Sequence, residues 1–401
     1  MKKRIISIFF ILSLSVFSLS GCKQNPKTDT PKETSATEST KAPQNEVEDI
    51  DSTSDIEKNF EQDLKENYLK SGGEIAFLTQ SEDIFDKGYC EAIFKGIAQY
   101  AYSSGKTYSY YYPAIENKEN FYNTMKTAID DGAELIVTSS DSYNEIIGSI
   151  QYDYSDDYFL MVDGHPTDEE NNPIDLNTNV HCIKFDEYTS GYIAGYITAQ
   201  EGYKSFGFLG GKENDSVKAY GYGFVKGIDD YAKQTNNPAD YSLNYCYTNT
   251  FSASDKIYKK AKAWYESGTE VIFSCGGNIF KSITQAANET DKKVIGVDVN
   301  QNLIEPCVIT SANKGVDIGV ITALDDFFAS YEWSSKLAGQ TTICGTESWC
   351  ASIPAQEDSW KFKNVTIEEY LDFYLKIRSG DIKLNKDISM FPEYTINLEK
   401  Y

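Results

Sequence analysis

Histidine is almost missing from this sequence: only His165 and His181 occur among 401 residues. No CxxC pair accompanies them, so a zinc site of the usual kind is excluded. The signatures of common catalysts are absent as well. There is no GxxxxGK[ST] phosphate loop, no serine elbow, no HExxH and no kinase motif. The stretch "GYGFVKG" (221–227) lies in a helical pattern and has one residue too many before its last glycine, so it is not a dinucleotide loop. Positive charge is also short. Sixty-one acids against 37 bases give a net charge of −24, a surface that repels phosphate backbones and excludes nucleic acid as a partner. After residue 21 no run is apolar and long enough to span a bilayer.

What is present begins with "MKKRIISIFFILSLSVFSLSGC": a basic start, an apolar stretch from Ile5 to Leu19, then small residues. Leu19-Ser20-Gly21-Cys22 resembles the lipobox of bacterial lipoproteins, in which the signal (here 1–21) is cut before a cysteine that is then lipidated. Residues 23 to about 58 hold Pro, Thr, Ser and charges with almost nothing to bury, the composition of a disordered tether. Such a coil reaches roughly 30 Å, enough to float a domain off a membrane. The expected unit is 22–66: a lipidated Cys22 and its tether, on the outer face of a bacterial cell membrane.

From Glu74 on, strand-like and helix-like segments alternate. "EIAFLT" (74–79) precedes a helix whose Tyr89, Ile93, Phe94, Ile97 and Tyr100 form one stripe. "TYSYYYP", "AELIVTS", "YFLMVDG" and "NVHCIKF" follow, with helices near 118–131 and 143–150. A second series opens at "SFGFLGG" (205–211) and runs through helices over 253–267 and 279–290 to "KVIGVDV". Repeated strand–helix units predict an α/β protein with two doubly wound parallel-sheet lobes and a ligand cleft beyond the carboxyl ends of the strands. Six segments turn polar or small at that edge: "FLTQSED", "IVTSSDS", "MVDGH", "FLGGKEN", "FSCGGN" and "GVDVNQ". Each alone is explained by loop and cap chemistry; six together read as a binding rim. Acid pairs such as Asp156-Asp157 and Asp229-Asp230 read as solvated faces. Cys344 and Cys350 flank "GTESW", a spacing compatible with closing a small hairpin, whereas Cys90, Cys182, Cys246, Cys275 and Cys307 lie in apolar segments.

The segments "NVHCIKFDEYTSGYIAGYITA" (179–199), "FGFLGG…VKAYGYGFVKGI" (206–228), "GTEVIFSCGGNIFKSITQAA" (268–287), "GVDVNQ" (296–301), "TSANKGVDIGV" (310–320) and "LKIRSGDIKL" (375–384) resemble the basic-membrane-lipoprotein family. These are substrate-binding lipoproteins of ABC importers, similar to purine nucleoside receptors. The resemblance implies a type I periplasmic-binding-protein fold with crossover strands near 183–203, 302–312 and 335–350. Lobe 1 is expected over 67–202 and 304–345, lobe 2 over 203–303 and 346–390, with 391–401 a C-terminal tail.

It also implies site residues. Asp298 matches the acid of "GVDSDQ"-like motifs that holds ribose hydroxyls, an arrangement in which one carboxylate accepts twice. Lys314 matches a lysine on the sugar side, and Gly276 and Gly277 a turn that admits the ligand. Phe85 and Tyr220 match the aromatic pair that sandwiches the base, Tyr220 being the more exposed because its hydroxyl needs a polar partner. Ser140, in "IVTSSDS", is placed on the rim. In "EDIFDKG", Asp86 stands where the family has an asparagine; a carboxylate only accepts, which favours 6-oxopurine nucleosides. The implied protein is a monomer, not an enzyme, without cofactor or metal, delivering a nucleoside to an ABC permease and its ATPase. The alternative is a lipoprotein that senses a nucleoside or other small polar ligand without transport.

Overall fold

Runs of Ile, Val and Phe build two separate sheets whose central strands are buried on both faces. The computed structural model describes residues 68–80, 82, 84–85, 88–139 and 141–401, all within one compact unit. The signal segment, Cys22, the tether, Asp86, Lys87 and Ser140 lie outside the described residues.

The first sheet has the order β11-β5-β4-β3-β1-β2 and is entirely parallel. Its strands are β1 (Ile75–Leu78), β2 (Tyr108–Tyr111), β3 (Leu135–Ser139), β4 (Tyr158–Val162), β5 (Val180–Phe185) and β11 (Gln340–Cys344). Helices α1 (Tyr89–Ser104) and α8 (Val316–Phe328) cover one face, and α2 (Lys118–Asp130) and α3 (Asn144–Ile150) the other. The stripe read in the sequence is the buried face of α1: Ile93, Phe94, Ile97 and Tyr100 are all in the core. Gly105 ends that helix in the left-handed region, its N–H on the Ala101 carbonyl.

The second sheet has the order β12-β10-β9-β8-β6-β7-β13. It contains β6 (Ser205–Gly210), β7 (Ser242–Tyr247), β8 (Val271–Cys275), β9 (Lys293–Asp298), β10 (Val308–Lys314), β12 (Ala351–Ser352) and β13 (Asn397–Lys400). Only β12 runs antiparallel. α4 (Glu187–Glu201), α5 (Asp215–Gln234) and α9 (Ile367–Arg378) pack on one face; α6 (Asp255–Glu266) and α7 (Ile279–Thr290) pack on the other. Cap residues set the helix starts: Asp186, Asn214 and Ser254 each accept a backbone N–H three residues on, and Thr366 with Glu369 forms a full capping box.

Three boundaries differ from the sequence expectation. β10, placed with lobe 1, hydrogen-bonds to β9 and β12 in the second sheet, so the chain returns to the first lobe only at Gly315. α4, also placed with lobe 1, packs on α5 in the second core. The segment 391–401 is not a loose tail: β13 extends the sheet beside β7. Asp229 anchors it, because Thr395 donates through N–H (2.6 Å) and Oγ1 (2.8 Å) to Asp229 Oδ1. Asp229 is therefore buried, not on a solvated face, with Lys233 paired to its other oxygen at 2.6 Å.

The contact between α4 and α5 positions the site. "GYIAGY" and "GYGFVKG" put Gly191 and Gly195 on one helix against Gly223 and Gly227 on the other. A β-carbon at Gly191 would collide with the Tyr220 carbonyl, and one at Gly223 with the Tyr188 carbonyl. The false dinucleotide pattern is thus a seam where two helix backbones touch. Gly223→Ala must force α4 and α5 apart. Overpacking of this kind costs roughly 1–3 kcal/mol, a loss expected in urea unfolding and accompanied by displacement of Glu187 and Tyr220.

Candidate functional site

β9 ends in the carboxylate that the sequence singled out. Gly296, within β9, leaves room for Gln301 and Ser311, because a β-carbon would meet Gln301 Oε1 at 2.6 Å and Ser311 Oγ at 2.7 Å. Gln301 Oε1 accepts the Val297 N–H at 3.0 Å, and Gln301 N–H donates to Ser311 Oγ at 3.0 Å. This bracing leaves Asp298 in the left-handed region, φ 64°. Aspartate tolerates that conformation better than most residues. Tyr220, from α5, donates its hydroxyl to Asp298 Oδ1 at 3.1 Å.

Tyr220 was expected to present its ring. The ring is instead 1 % exposed and stands edge-on to Phe273 at 6.0 Å, since α5 is held tight against α4 and the sheet. Its hydroxyl has a polar partner, Asp298, while the ring packs in the core. Burial, then the neighbouring Asp298 charge, pushes the Tyr220 pKa well up, so the hydroxyl stays a donor.

Lys314, at the end of β10, is not a surface lysine. Its side chain is 5 % exposed, with Nζ 2.5 Å from Asp163 Oδ2 and 2.9 Å from Glu187 Oε1. The ammonium also lies over the rings of Phe185 (5.1 Å) and Tyr89 (5.4 Å). Burial alone would lower its pKa; Asp163, Glu187 and Asp298 outweigh that and hold it above the ordinary lysine value. Glu187 is pushed up by burial, which Lys314 only partly offsets while Asp163 adds to it, because one cation serves several carboxylates. Burial and the nearby acids likewise keep the Cys275 thiol protonated.

Asp163 and Glu187 were missed as site residues. Asp163 follows β4 in "MVDGH", a segment that did read as rim, and like Asp298 it has a left-handed backbone, φ 57°. Glu187 follows the α4 cap and looked like ordinary first-turn acid. Its Oε1 accepts from Ser216 Oγ at 3.0 Å as well as from Lys314. Neither placement is visible without the fold, since Glu187 and Lys314 stand 127 positions apart in the sequence.

Gly276 (φ 144°) and Gly277 (φ 56°) end β8 in conformations that favour glycine, packed beneath the half-exposed ring of Phe251. Phe85 packs edge-on to Phe94, at 5.9 Å, on the core of the first lobe. His181 Nδ1 pairs with the Leu337 carbonyl, and burial lowers its pKa. Among the described residues, no group of His, Cys, Asp and Glu side chains is arranged to hold a metal ion, and no helix is long and apolar enough to cross a membrane.

With this geometry in place, similarity to known proteins is informative. The family described as "ABC transporter substrate-binding protein PnrA-like" matches residues 74–353. The chain is 24 % identical to an ABC transporter nucleoside-binding protein of Lactococcus lactis over 315 residues, covering 76 % of each chain. It is 26 % identical to basic membrane protein A1 of Borrelia garinii over 57 % of this chain and 65 % of that protein. Among solved structures, a solute-binding protein of an ABC transporter system from Conexibacter woesei superposes with a TM-score of 0.61 at 17 % identity, covering 78 % of this chain and 98 % of that one. A counterpart from Aeropyrum pernix gives 0.57 at 18 % identity, covering 76 % and 85 %. The fold is that of the type I periplasmic binding proteins, and the chain belongs to the PnrA-like family of ABC transporter substrate-binding proteins.

Proposed function

We propose that this protein binds a nucleoside between its lobes and presents it to an ABC permease, held at the outer face of the cell membrane by lipidated Cys22. The observation that carries the ligand class is the Asp298 carboxylate, fixed at the carboxyl edge of β9 beside Lys314, Asp163 and Glu187. A rigid carboxylate at a strand edge suits a vicinal diol, which offers two donors at once. The site's charge argues further. The acids Asp163, Glu187 and Asp298 surround the Lys314 ammonium, a lining that disfavours a phosphate and favours an uncharged sugar-bearing ligand. A relative whose name states nucleoside binding supports the same reading. Asp86 and Ser140 remain proposed contacts resting on sequence alone, as does the preference for 6-oxopurines.

Thermal unfolding of the mature chain with single nucleosides tests the proposal. Guanosine or inosine at millimolar concentration should raise Tm more than adenosine does, and guanosine monophosphate should raise it least. A ligand at a hundred times its Kd adds about 2.7 kcal/mol to stability. If no purine or pyrimidine nucleoside shifts Tm, the nucleoside assignment is wrong.

Two substitutions separate binding from architecture. Asp298→Ala should keep the fold and lose roughly 2–5 kcal/mol of binding, measured by calorimetric titration. Lys314→Met should instead cost about 3–5 kcal/mol of stability, because it strands Asp163 and Glu187 without their cation. Stranded carboxyls have raised folded-state pKa values, so they destabilise only when ionised. The Lys314→Met deficit should therefore be greatest at neutral pH and shrink as pH falls toward about 4, where unfolded carboxyls also bind protons. A deficit that grows on acidification would contradict this assignment.

A further inference from the structure

The chain passes between the two sheets three times, and the three passages meet at one pair of thiols. The first passage is at Asp186, whose N–H donates to the Cys344 carbonyl at 3.1 Å. The second is at Gly315, whose N–H donates to the Cys350 carbonyl at 2.8 Å. The third is the segment 345–350 itself, which runs from β11 in the first sheet to β12 in the second. It folds back on itself, the Cys350 N–H reaching the Gly345 carbonyl at 2.9 Å.

Both side chains face the same place, the start of α8. A β-carbon at Gly315 would lie 3.3 Å from Cys350 Sγ, and one at Gly319 would lie 3.3 Å from Cys344 Sγ. Cys350 Sγ also sits 3.2 Å from the Gly315 carbonyl oxygen. Cys344 is 6 % exposed and Cys350 1 %, and both are free thiols. Cys182, Cys246, Cys275 and Cys307 are buried in apolar clusters distributed over both sheets.

We infer that Cys344 and Cys350 are a disulfide-forming pair that staples the junction of the three interlobe passages. The bond would lock the turn on which the first two passages hang their backbone hydrogen bonds. A shared hydrogen bond between the thiols places the two sulfurs within reach of each other in the folded chain. The Cys350 thiolate attacks one sulfur of a donor disulfide and expels the donor's other sulfur as a thiol. Cys344 then displaces the first donor sulfur, closing the Sγ–Sγ bond. The donor disulfide is reduced to two thiols, which take up the two cysteine protons. The donor is any small-molecule or protein disulfide of an oxidising exterior, acting on the folding chain before the turn is covered.

The test is refolding of the full mature chain in mixed oxidised and reduced glutathione, followed by alkylation under denaturing conditions. Glu347 lies between the two cysteines, so a Glu-specific protease leaves peptides joined only by the bond. Mass mapping should find Cys344 bonded to Cys350, with Cys182, Cys246, Cys275 and Cys307 alkylated. The oxidised chain should melt a few degrees above the reduced chain, and the Cys344→Ser/Cys350→Ser variant should show no such dependence on redox state. Alkylated Cys344 and Cys350 after oxidative refolding, or a bond from either to a different cysteine, would overturn the inference. So would an equal redox-dependent shift in the double variant.

Discussion

One buried ammonium organises the centre of this molecule. Lys314 comes from the second sheet, Asp163 from the loop after a strand of the first, and Glu187 from the helix that begins where the chain first leaves that sheet. The Lys314–Asp163 pair therefore joins the two sheets, while Lys314–Glu187 ties β10 to α4 within the second. Burying such a group is costly, and apolar residues of like shape often give equal stability. What charges provide is geometry: two carboxylates can be brought to one Nζ only in one relative placement of their supports.

The two sheets repeat one device. In each, the fourth strand in chain order closes on an aspartate with positive φ: Asp163 after β4 and Asp298 at the end of β9. One accepts from a lysine, the other from a tyrosine hydroxyl. The left-handed turn aims each carboxylate off the strand direction while the strand itself stays in its ladder. Paired polar ends of parallel strands are where an α/β sheet offers binding groups.

Much of this was legible from local pattern. Period and composition located the strands and helices, because a residue's preference for a buried pleat or helical stripe depends on near neighbours. Asp298 stood out for the same reason, as an acid ending an otherwise apolar run. What failed was non-local. "VITSANK" reads as a buried strand in either sheet, and only its pairing with β9 and β12 decides its lobe. The glycines of "GYIAGY" and "GYGFVKG" are plain in the sequence, yet their meaning lies in each other across two helices. Tyr220 was misjudged because an aromatic in a helical stripe looks the same whether its ring or only its hydroxyl meets the site. Lys314 could not be paired with Asp163 by reading along the chain.

The charged centre and the passages between lobes are consecutive in sequence. Glu187 follows Asp186, the residue of the first passage, and Lys314 precedes Gly315, the residue of the second. Ser190, one turn into α4, donates to the Asn313 carbonyl at 2.7 Å and ties the two stretches together. Asp186 in turn holds Thr189 N–H and Oγ1 and receives Lys386 at 2.6 Å. A rotation of one lobe on the other must act on φ and ψ at these positions, and so must move Glu187 or Lys314 within a residue of the pivot. Under the proposed function, a ligand that engages Asp298 would alter the field at Lys314, one residue from the second passage. Substitutions in the acidic cluster therefore fall within one residue of two of the three passages between the sheets.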